Sequence, residues 1–162
     1  DCVSITRNEW KNTAVMHTDY GLDLPMVPCR VSEMSQVFIN LIVNASHSIA
    51  AFHKGSTGNI VIQTKQENSF LRISIKDNGG GIPHAVVDRV FDPFFTTKKV
   101  GVGSGQGLAI SYNLIVERHK GKIYFETVEG EGTTFYVLLP LRESGSTTDA
   151  NQELSDQSTE KP

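Results

Sequence analysis

Two asparagines, Asn40 and Asn44, stand four residues apart in a stretch whose apolar residues recur at helical spacing. Side chains four residues apart lie on the same face of a helix, so both carboxamides would project to one side. Asparagine is a poor helix former, because its side chain competes for backbone hydrogen bonds. Each one alone is best explained as a solvated surface residue. The pair also offers carboxamide oxygens, which are ligands that Mg²⁺ accepts.

Asp77 ends a run of alternating apolar and polar residues and begins the sequence Asp-Asn-Gly-Gly-Gly-Ile-Pro. A turn is the simplest explanation, because Asp, Asn and Gly all favour turns. A functional explanation requires a buried carboxylate, and a buried carboxylate needs a donor. The exocyclic amine of adenine is one such donor. Gly79 and Gly81 would let the backbone approach a flat base, and Ile82 could pack on its face.

A second glycine-rich run, Gly101–Gly107, leads directly into apolar residues at helical spacing. The first N–H groups of a helix have no intrahelical partner and can bind an anion such as a phosphate. The run is not a P-loop, since no Gly-Lys-Ser/Thr follows, and it lacks the G-x-G-x-x-G spacing of dinucleotide-binding folds. A flexible loop is the alternative explanation.

The segment between the two glycine runs, Phe91–Lys99, contains three phenylalanines and two lysines without periodicity. Phenylalanines in such a segment either fill the core or form an exposed docking patch. Lys98 and Lys99 could reach phosphate groups or could simply be solvated.

The composition is that of one globular domain with an acidic tail. Residues 143–162 contain five acids and one base, and the rest of the chain contains 13 acids and 14 bases. No long basic run suggests nucleic-acid binding. Cys2 and Cys29 form no Cys-x-x-Cys pair, which argues against a metal or disulfide framework and fits a reducing, cytoplasmic compartment. Without a signal peptide or a long apolar run, we expect no membrane insertion by this chain. Its start at Asp1 suggests an excised fragment.

The elements that must position these residues are ordered as in a layered α+β fold, an α/β sandwich. We expect a mixed, mostly antiparallel sheet of about five strands with three helices on one face. The predicted strands are 13–20, 59–66, 70–76, 122–128 and 133–139, and the predicted helices are 32–52, 85–90 and 106–119. Ser32 is the candidate N-cap of the long helix, whose apolar stripe is Phe38, Leu41, Ile42, Ala45, Ile49 and Phe52. Residues 1–10 carry little pattern, 91–105 should be a loop that is mobile without nucleotide, and the chain from Ser144 should be disordered.

Taken in order, these segments resemble the catalytic ATP-binding domain of bacterial sensor histidine kinases. That domain belongs to the superfamily shared with DNA gyrase, heat-shock chaperones and mismatch-repair ATPases. The phenylalanine-containing segment is the most specific, because it marks kinases within the superfamily. The resemblance covers about Thr13 to Leu141, and its matching segments are Gln36–Ala45, Asp77–Pro83, Phe91–Lys98, Gly103–Leu108 and Gly132–Phe135.

The resemblance implies ATP and Mg²⁺ as cofactors. It implies that Asn44 is the magnesium ligand, that Asp77 binds the adenine amine, and that Thr133 supports this contact through water. The implied catalytic residues are Asn40, Asn44 and Lys98. The lid over the phosphates would be formed by Gly103, Gly105 and Gly107. The complete implied nucleotide-binding set is Asn40, Asn44, His47, Asp77, Gly79, Gly81, Ile82, Lys98, Gly103, Ser104, Gly105, Gln106, Gly107, Leu108 and Thr133.

The chain departs from the family pattern at two places. Many relatives carry a basic residue and an aromatic residue just after the asparagine segment, where this chain has His47 and Ser48, so Lys98 would carry more of the triphosphate contacts. ATP-hydrolysing relatives carry a glutamate, the base for water, four residues before the magnesium asparagine. That residue is Asn40 here, and an amide cannot take the proton. We therefore expect the site to hold ATP for transfer without activating water.

The family's phosphoacceptor histidine lies on a preceding helical hairpin and is followed by an acid, a context that none of the five histidines of this chain has. The resemblance therefore implies transfer of the γ-phosphoryl group to a histidine on a separate dimerisation domain, with a response regulator receiver domain as a second partner. Residues 1–12 would come from the missing hairpin, 13–142 would form the ATP-binding domain, and 143–162 would be a disordered tail or linker. The alternatives are an ATPase or serine kinase of the same superfamily, or a non-catalytic nucleotide-binding module that regulates a partner.

Overall fold

The structure, a computed structural model, describes residues 1–96 and 105–141. Five strands form its sheet: β1 (Ala14–Tyr20), β2 (Gly58–Glu67), β3 (Phe70–Asp77), β4 (Lys122–Val128) and β5 (Gly132–Pro140). Their order is β1-β2-β3-β5-β4. β1 runs parallel to β2, and the other three pairs are antiparallel. The expected mixed, mostly antiparallel sheet is therefore confirmed, and each strand boundary lies within one residue of its predicted position.

The helical elements are short except for one. They are α1 (Cys2–Ile5), α2 (Arg7–Trp10), α3 (Val31–His53), a 3₁₀ helix (His84–Arg89), α4 (Gly107–Tyr112) and a π-helical segment (Asn113–Arg118) that continues α4. In the described part of the chain, no helix combines the length and the hydropathy needed to cross a membrane.

Alternation along the strands separates an apolar face of the sheet from a polar one, because successive side chains point to opposite faces. The register pairs Asp77 of β3 with Thr133 of β5 and with Ile60 of β2. All three side chains therefore share the face that carries the core. The remaining core residues on this face are Ala14, Ile62, Ile73, Ile75, Ile123, Phe135, Val137 and Leu139.

The long helix α3 covers this face and differs from its predicted form at both ends. Ser32 is not the N-cap: the helix begins at Val31, and Arg30 occupies the cap position without a side-chain hydrogen bond. Phe52, in the last turn, is 46% exposed, and its ring lies beside Gly80. The buried residues of α3 are Met34, Val37, Leu41, Ile42, Ala45, Ser46 and Ile49.

The predicted helix over 106–119 is α-helical only as far as Tyr112. Beyond it the N–H of His119 donates to the carbonyl of Leu114, five residues back, at 3.2 Å. This wider turn buries Leu114 and Ile115. An apolar pattern does not distinguish the two helical forms over so short a segment, and π-helical turns are rare. The predicted helix over 85–90 is likewise a 3₁₀ helix.

The N-terminal segment, which showed little pattern, forms α1 and α2 and contacts α3. The side chain of Thr6, between the two helices, is 2% exposed. The hydroxyl of Ser46 donates to the carbonyl of Glu9 at 2.6 Å and lies 2.9 Å from the hydroxyl of Thr13. These contacts join residues far apart in sequence, which explains why local periodicity did not reveal the segment's structure.

Replacing Ser46 with alanine should therefore destabilise the domain. Removing its hydroxyl leaves the Glu9 carbonyl without its donor, which costs about 1–3 kcal/mol of unfolding free energy. Urea unfolding would measure this change, with Ser32→Ala as the matched control: Ser32 is an exposed serine of the same helix and should change stability by less than about 0.5 kcal/mol. Equal stability of the two variants would contradict the packing of residues 1–10 against α3.

Candidate functional site

A cavity of about 970 Å³ opens between α3, the segment after β3 and the start of α4. Most of the residues implied by the resemblance lie on its wall: Asn40, Asn44, His47, Asp77, Gly81, Ile82, Gly105, Gly107, Leu108 and Thr133. Gly79 and Gln106 are not on the wall, although each is next to residues that are. Lys98, Gly103 and Ser104 lie outside the described residues. One cavity thus brings together the asparagine pair and both glycine segments.

The carboxylate of Asp77 is the most deeply buried charged group of the cavity wall, with 3% of the residue exposed. Its Oδ1 accepts the N–H of Gly79 at 2.8 Å. The hydroxyl of Ser48 and the N–H of Thr133 also donate to the carboxylate. Burial raises the pKa of Asp77 to about 6, and the three hydrogen bonds limit that rise because they stabilise the ionised form.

Two glycines after Asp77 allow the chain to fold tightly around the carboxylate. A Cβ at Gly79 would collide with the hydroxyl of Ser48. Gly81 has φ of +70°, and a Cβ there would collide with the carbonyl of Val128. The glycine spacing that suggested a close approach to a base is therefore also required by contacts within the domain.

Strand β4 supplies a residue that the sequence analysis missed. The hydroxyl of Thr127 accepts the N–H of Ile82 at 2.8 Å and lies 3.0 Å from the hydroxyl of Thr133. Thr127 therefore fixes the backbone of Ile82 at the cavity wall. Its only sequence signal was its place in an alternating strand, opposite Thr133.

Asn40 joins α3 to the first residue of α4. Its Nδ2 donates to the carbonyl of Gly107 at 3.1 Å and lies 3.4 Å from the hydroxyl of Ser111. Ser111 is fully buried and also donates to the Gly107 carbonyl, at 2.8 Å. Because a carbonyl only accepts, the amide nitrogen must face Gly107. The side chain of Asn40 therefore offers its Oδ1 to other partners, and neither of its polar atoms is a base.

The three phenylalanines of the segment 91–95 have different environments. Phe91 packs against the core, with its ring centroid 5.9 Å from that of Phe125. Phe94 is 72% exposed and adopts a positive φ of 63°. Phe95 lies on the cavity wall under the guanidinium of Arg89, 4.5 Å from it. One ring therefore fills the core and another is exposed, while the docking patch stays a prediction.

On the described part of the cavity wall, the candidate metal ligands are amides rather than a cluster of ionisable side chains. Over residues 1–96 and 105–141, no group of three or more His, Cys, Asp or Glu side chains could hold a metal ion. The cavity wall instead carries the carboxamides of Asn40 and Asn44. A hard cation that arrives with its own oxygen ligands fits this donor set better than a resident transition metal.

The fold and the cavity define a nucleotide-binding domain, and the chain belongs to the family described as histidine kinase-, DNA gyrase B- and HSP90-like ATPases, which matches residues 30–143. Sporulation kinase E of Bacillus subtilis is 38% identical over 130 residues. Those residues are 80% of this chain but 16% of that protein, so the chain spans about a sixth of the relative's length.

Solved structures give the same result. The catalytic domain of histidine kinase ThkA matches with a TM-score of 0.73 and 28% identity, covering 86% of this chain and 87% of that one. The same kinase in complex with response regulator protein TrrA matches with a TM-score of 0.69 and 27% identity, covering 87% of this chain and 38% of that one. The resemblance to the catalytic domains of histidine kinases is thereby confirmed.

If Asp77 accepts a hydrogen bond from adenine, as the resemblance implies, adenosine affinity should fall as the solution is acidified. A pKa of about 6 leaves roughly a tenth of the carboxylate ionised near pH 5, so binding should be about tenfold weaker there than near pH 7.5.

The stability of the ligand-free domain should depend on pH in the opposite direction, and Asp77 should favour the fold more at low pH. The pKa is raised in the fold, so this group's contribution is complete below its ordinary pKa and is lost as the pH rises through about 6.

Adenosine is the better ligand for this titration, because phosphate groups themselves titrate near pH 6. Calorimetry at several pH values would give the affinity. An affinity for adenosine that stays constant between about pH 5 and 7.5 would show that Asp77 does not accept a hydrogen bond from the base.

Proposed function

We propose that the cavity binds ATP together with Mg²⁺, and that the domain donates the γ-phosphoryl group to a histidine on a separate dimerisation domain in two-component signalling. The observation that carries the proposal is the meeting of a buried carboxylate, Asp77, with the asparagine pair on one cavity wall. The first feature suits an adenine amine, and the second suits a polyphosphate with its cation.

At the base end, Asp77 accepts a hydrogen bond from the exocyclic amine, and Ile82 packs against the ring. Support comes from the burial of Asp77 and from the position of Ile82 on the same wall. Thr133 already donates its N–H to Asp77, which leaves its hydroxyl near Thr127 to hold a water beside the base. The amine of adenine would add one more donor to the carboxylate, on its cavity side.

At the phosphate end, Asn44 would hold the magnesium ion through its carboxamide oxygen, and His47 and Lys98 would contact the phosphates. The ion would supply positive charge that neutralises the phosphates. The glycines Gly103, Gly105 and Gly107 would cover the phosphates, and the N–H groups at the start of α4 would face them. Gly105 and Gly107 lie on the cavity wall, which supports this arrangement.

The site holds ATP without activating water, because the residue four positions before Asn44 is an amide. Asn40 already donates its nitrogen to the Gly107 carbonyl, and its oxygen has no affinity for a proton at neutral pH. The reaction therefore waits for an external nucleophile. The bond from the γ-phosphorus to ADP breaks as a bond forms to an imidazole nitrogen of the acceptor histidine.

The partners follow from the placement of the acceptor histidine on a separate domain. The acceptor hairpin would precede residues 1–12, the ATP-binding unit would be 13–142, and 143–162 would be a tail or linker. A response regulator receiver domain would take the phosphoryl group next, and the solved complex of ThkA with response regulator protein TrrA supports a partner of this kind. We place the reaction in the cytoplasm, where ATP and reduced cysteines are available.

Asn44→Ala should weaken magnesium-dependent binding more than adenosine binding. Asn44 is on a helix fixed by a separate apolar stripe, so the domain should stay folded. ATP affinity with Mg²⁺ should drop about tenfold or more, while adenosine affinity should change by less than about twofold. Titrations with and without the ion measure both. Asn113→Ala is the matched control, because Asn113 is exposed and away from the cavity. An unchanged response to Mg²⁺ would exclude Asn44 as the ligand.

The isolated chain should bind ATP, hydrolyse it very slowly and leave its own histidines unphosphorylated. A supplied cognate hairpin domain should gain an acid-labile, base-stable phosphohistidine.

Phe94→Ala should slow the transfer to the hairpin domain by about tenfold, as expected for loss of an exposed aromatic anchor, without changing ATP affinity. Tyr20→Ala, another exposed aromatic, should leave both unchanged. Rapid hydrolysis by the chain alone would favour an ATPase, and tight ATP binding without transfer to the hairpin would favour a regulatory module.

A further inference from the structure

Among the described residues, Ser48 is the one that donates to Asp77 from its side chain. The other two donors, at Gly79 and Thr133, are backbone N–H groups. Backbone donors at a strand end are fixed by the fold, whereas the third bond exists only because residue 48 carries a hydroxyl. Nothing in the pattern of the sequence marked Ser48 for this role, since it replaces an aromatic residue that many relatives carry there.

The space between Ser48 and Gly79 has no room for a side chain at position 79. A Cβ at Gly79 would collide with the Ser48 hydroxyl, while the N–H of Gly79 donates to Oδ1 of Asp77 at 2.8 Å. The serine hydroxyl and the glycine N–H therefore converge on one carboxylate within a space that excludes side chains. Two donors from different elements restrict the rotation of the carboxylate more than either does alone.

Ser48 also belongs to the same face of α3 as Asn44, four residues earlier. Both residues lie on the cavity wall. The hydrogen bond from Ser48 thus ties the carboxylate at the base end to the helix that carries the asparagines at the phosphate end.

We infer that Ser48 is a specificity-determining residue, which orients the carboxylate of Asp77 so that it accepts from a purine amine and discriminates against a purine carbonyl. The inference rests on the proposed function. An adenine presents a donor at this position and a hypoxanthine presents an acceptor. A carboxylate held in one orientation forms a hydrogen bond with the donor and repels the acceptor. A carboxylate that can rotate or bind a water molecule discriminates less between the two bases.

The test compares the affinities of Mg-ATP and Mg-ITP for four proteins: wild type, Ser48→Ala, Asp77→Asn and the double variant. Ser48→Ala should weaken ATP binding by about tenfold and ITP binding by less than about twofold. In the Asp77→Asn background the same change should have little effect, because the group that Ser48 orients is gone. Ser32→Ala, on the same helix and exposed, should behave as wild type.

The two hypotheses fail in different ways. A loss in Ser48→Ala that is equal for ATP and ITP, or that persists in the Asp77→Asn background, shows a general structural role and overturns the inference. Unchanged affinities in Ser48→Ala, with a loss in Asp77→Asn, overturn the role of Ser48 alone. A wild-type domain that binds neither nucleotide contradicts the proposed function itself. Should Ser48→Ala not fold, Ser48→Cys replaces it: its weaker donor should cause a smaller loss, again confined to ATP.

Discussion

A carboxylate that is almost completely withdrawn from water is costly unless donors surround it, and Asp77 obtains its donors from three elements. Gly79 follows β3, Thr133 belongs to β5, and Ser48 belongs to α3. The register that pairs Asp77 with Thr133 and the packing of α3 on the sheet must both be complete before the carboxylate is satisfied. The end of the cavity around Asp77 therefore forms only when the sheet and helix α3 are packed together.

Helix α3 contributes to both stability and function, because one of its faces packs in the core and another lines the cavity. One face supplies the core with Leu41 and Ile49, while Asn40, Asn44 and Ser48 lie on the cavity wall. The bond from Asn40 to the Gly107 carbonyl extends this helix's influence to the start of α4, where the glycine segment ends. Rigid packing on one side thus gives the polar side chains on the other the fixed positions that a binding site requires.

The periodicity of apolar residues predicted the elements that depend on neighbouring residues alone. Strand alternation and the stripe on α3 follow from side-chain geometry within one element, and they gave the five strands and the long helix. The partners of Asp77 could not be read in this way, because Ser48 and Thr133 come near only after the sheet and helix assemble. For the same reason residues 1–10 showed little pattern, although Ser46 and Glu9 are joined by a hydrogen bond. The π-helical segment after Tyr112 was missed because its apolar residues also suit an α-helix.

The central claim, that Asp77 accepts the amine of adenine in this cavity, is tested most directly by a crystal structure of the domain with Mg²⁺ and a non-hydrolysable ATP analogue. We predict that the exocyclic nitrogen lies within about 3 Å of a carboxylate oxygen of Asp77, and that the oxygen of Asn44 lies in the coordination shell of the ion. A base seated elsewhere, or an amine that donates only to backbone carbonyls while Asp77 keeps its partners on the protein side, would contradict the account.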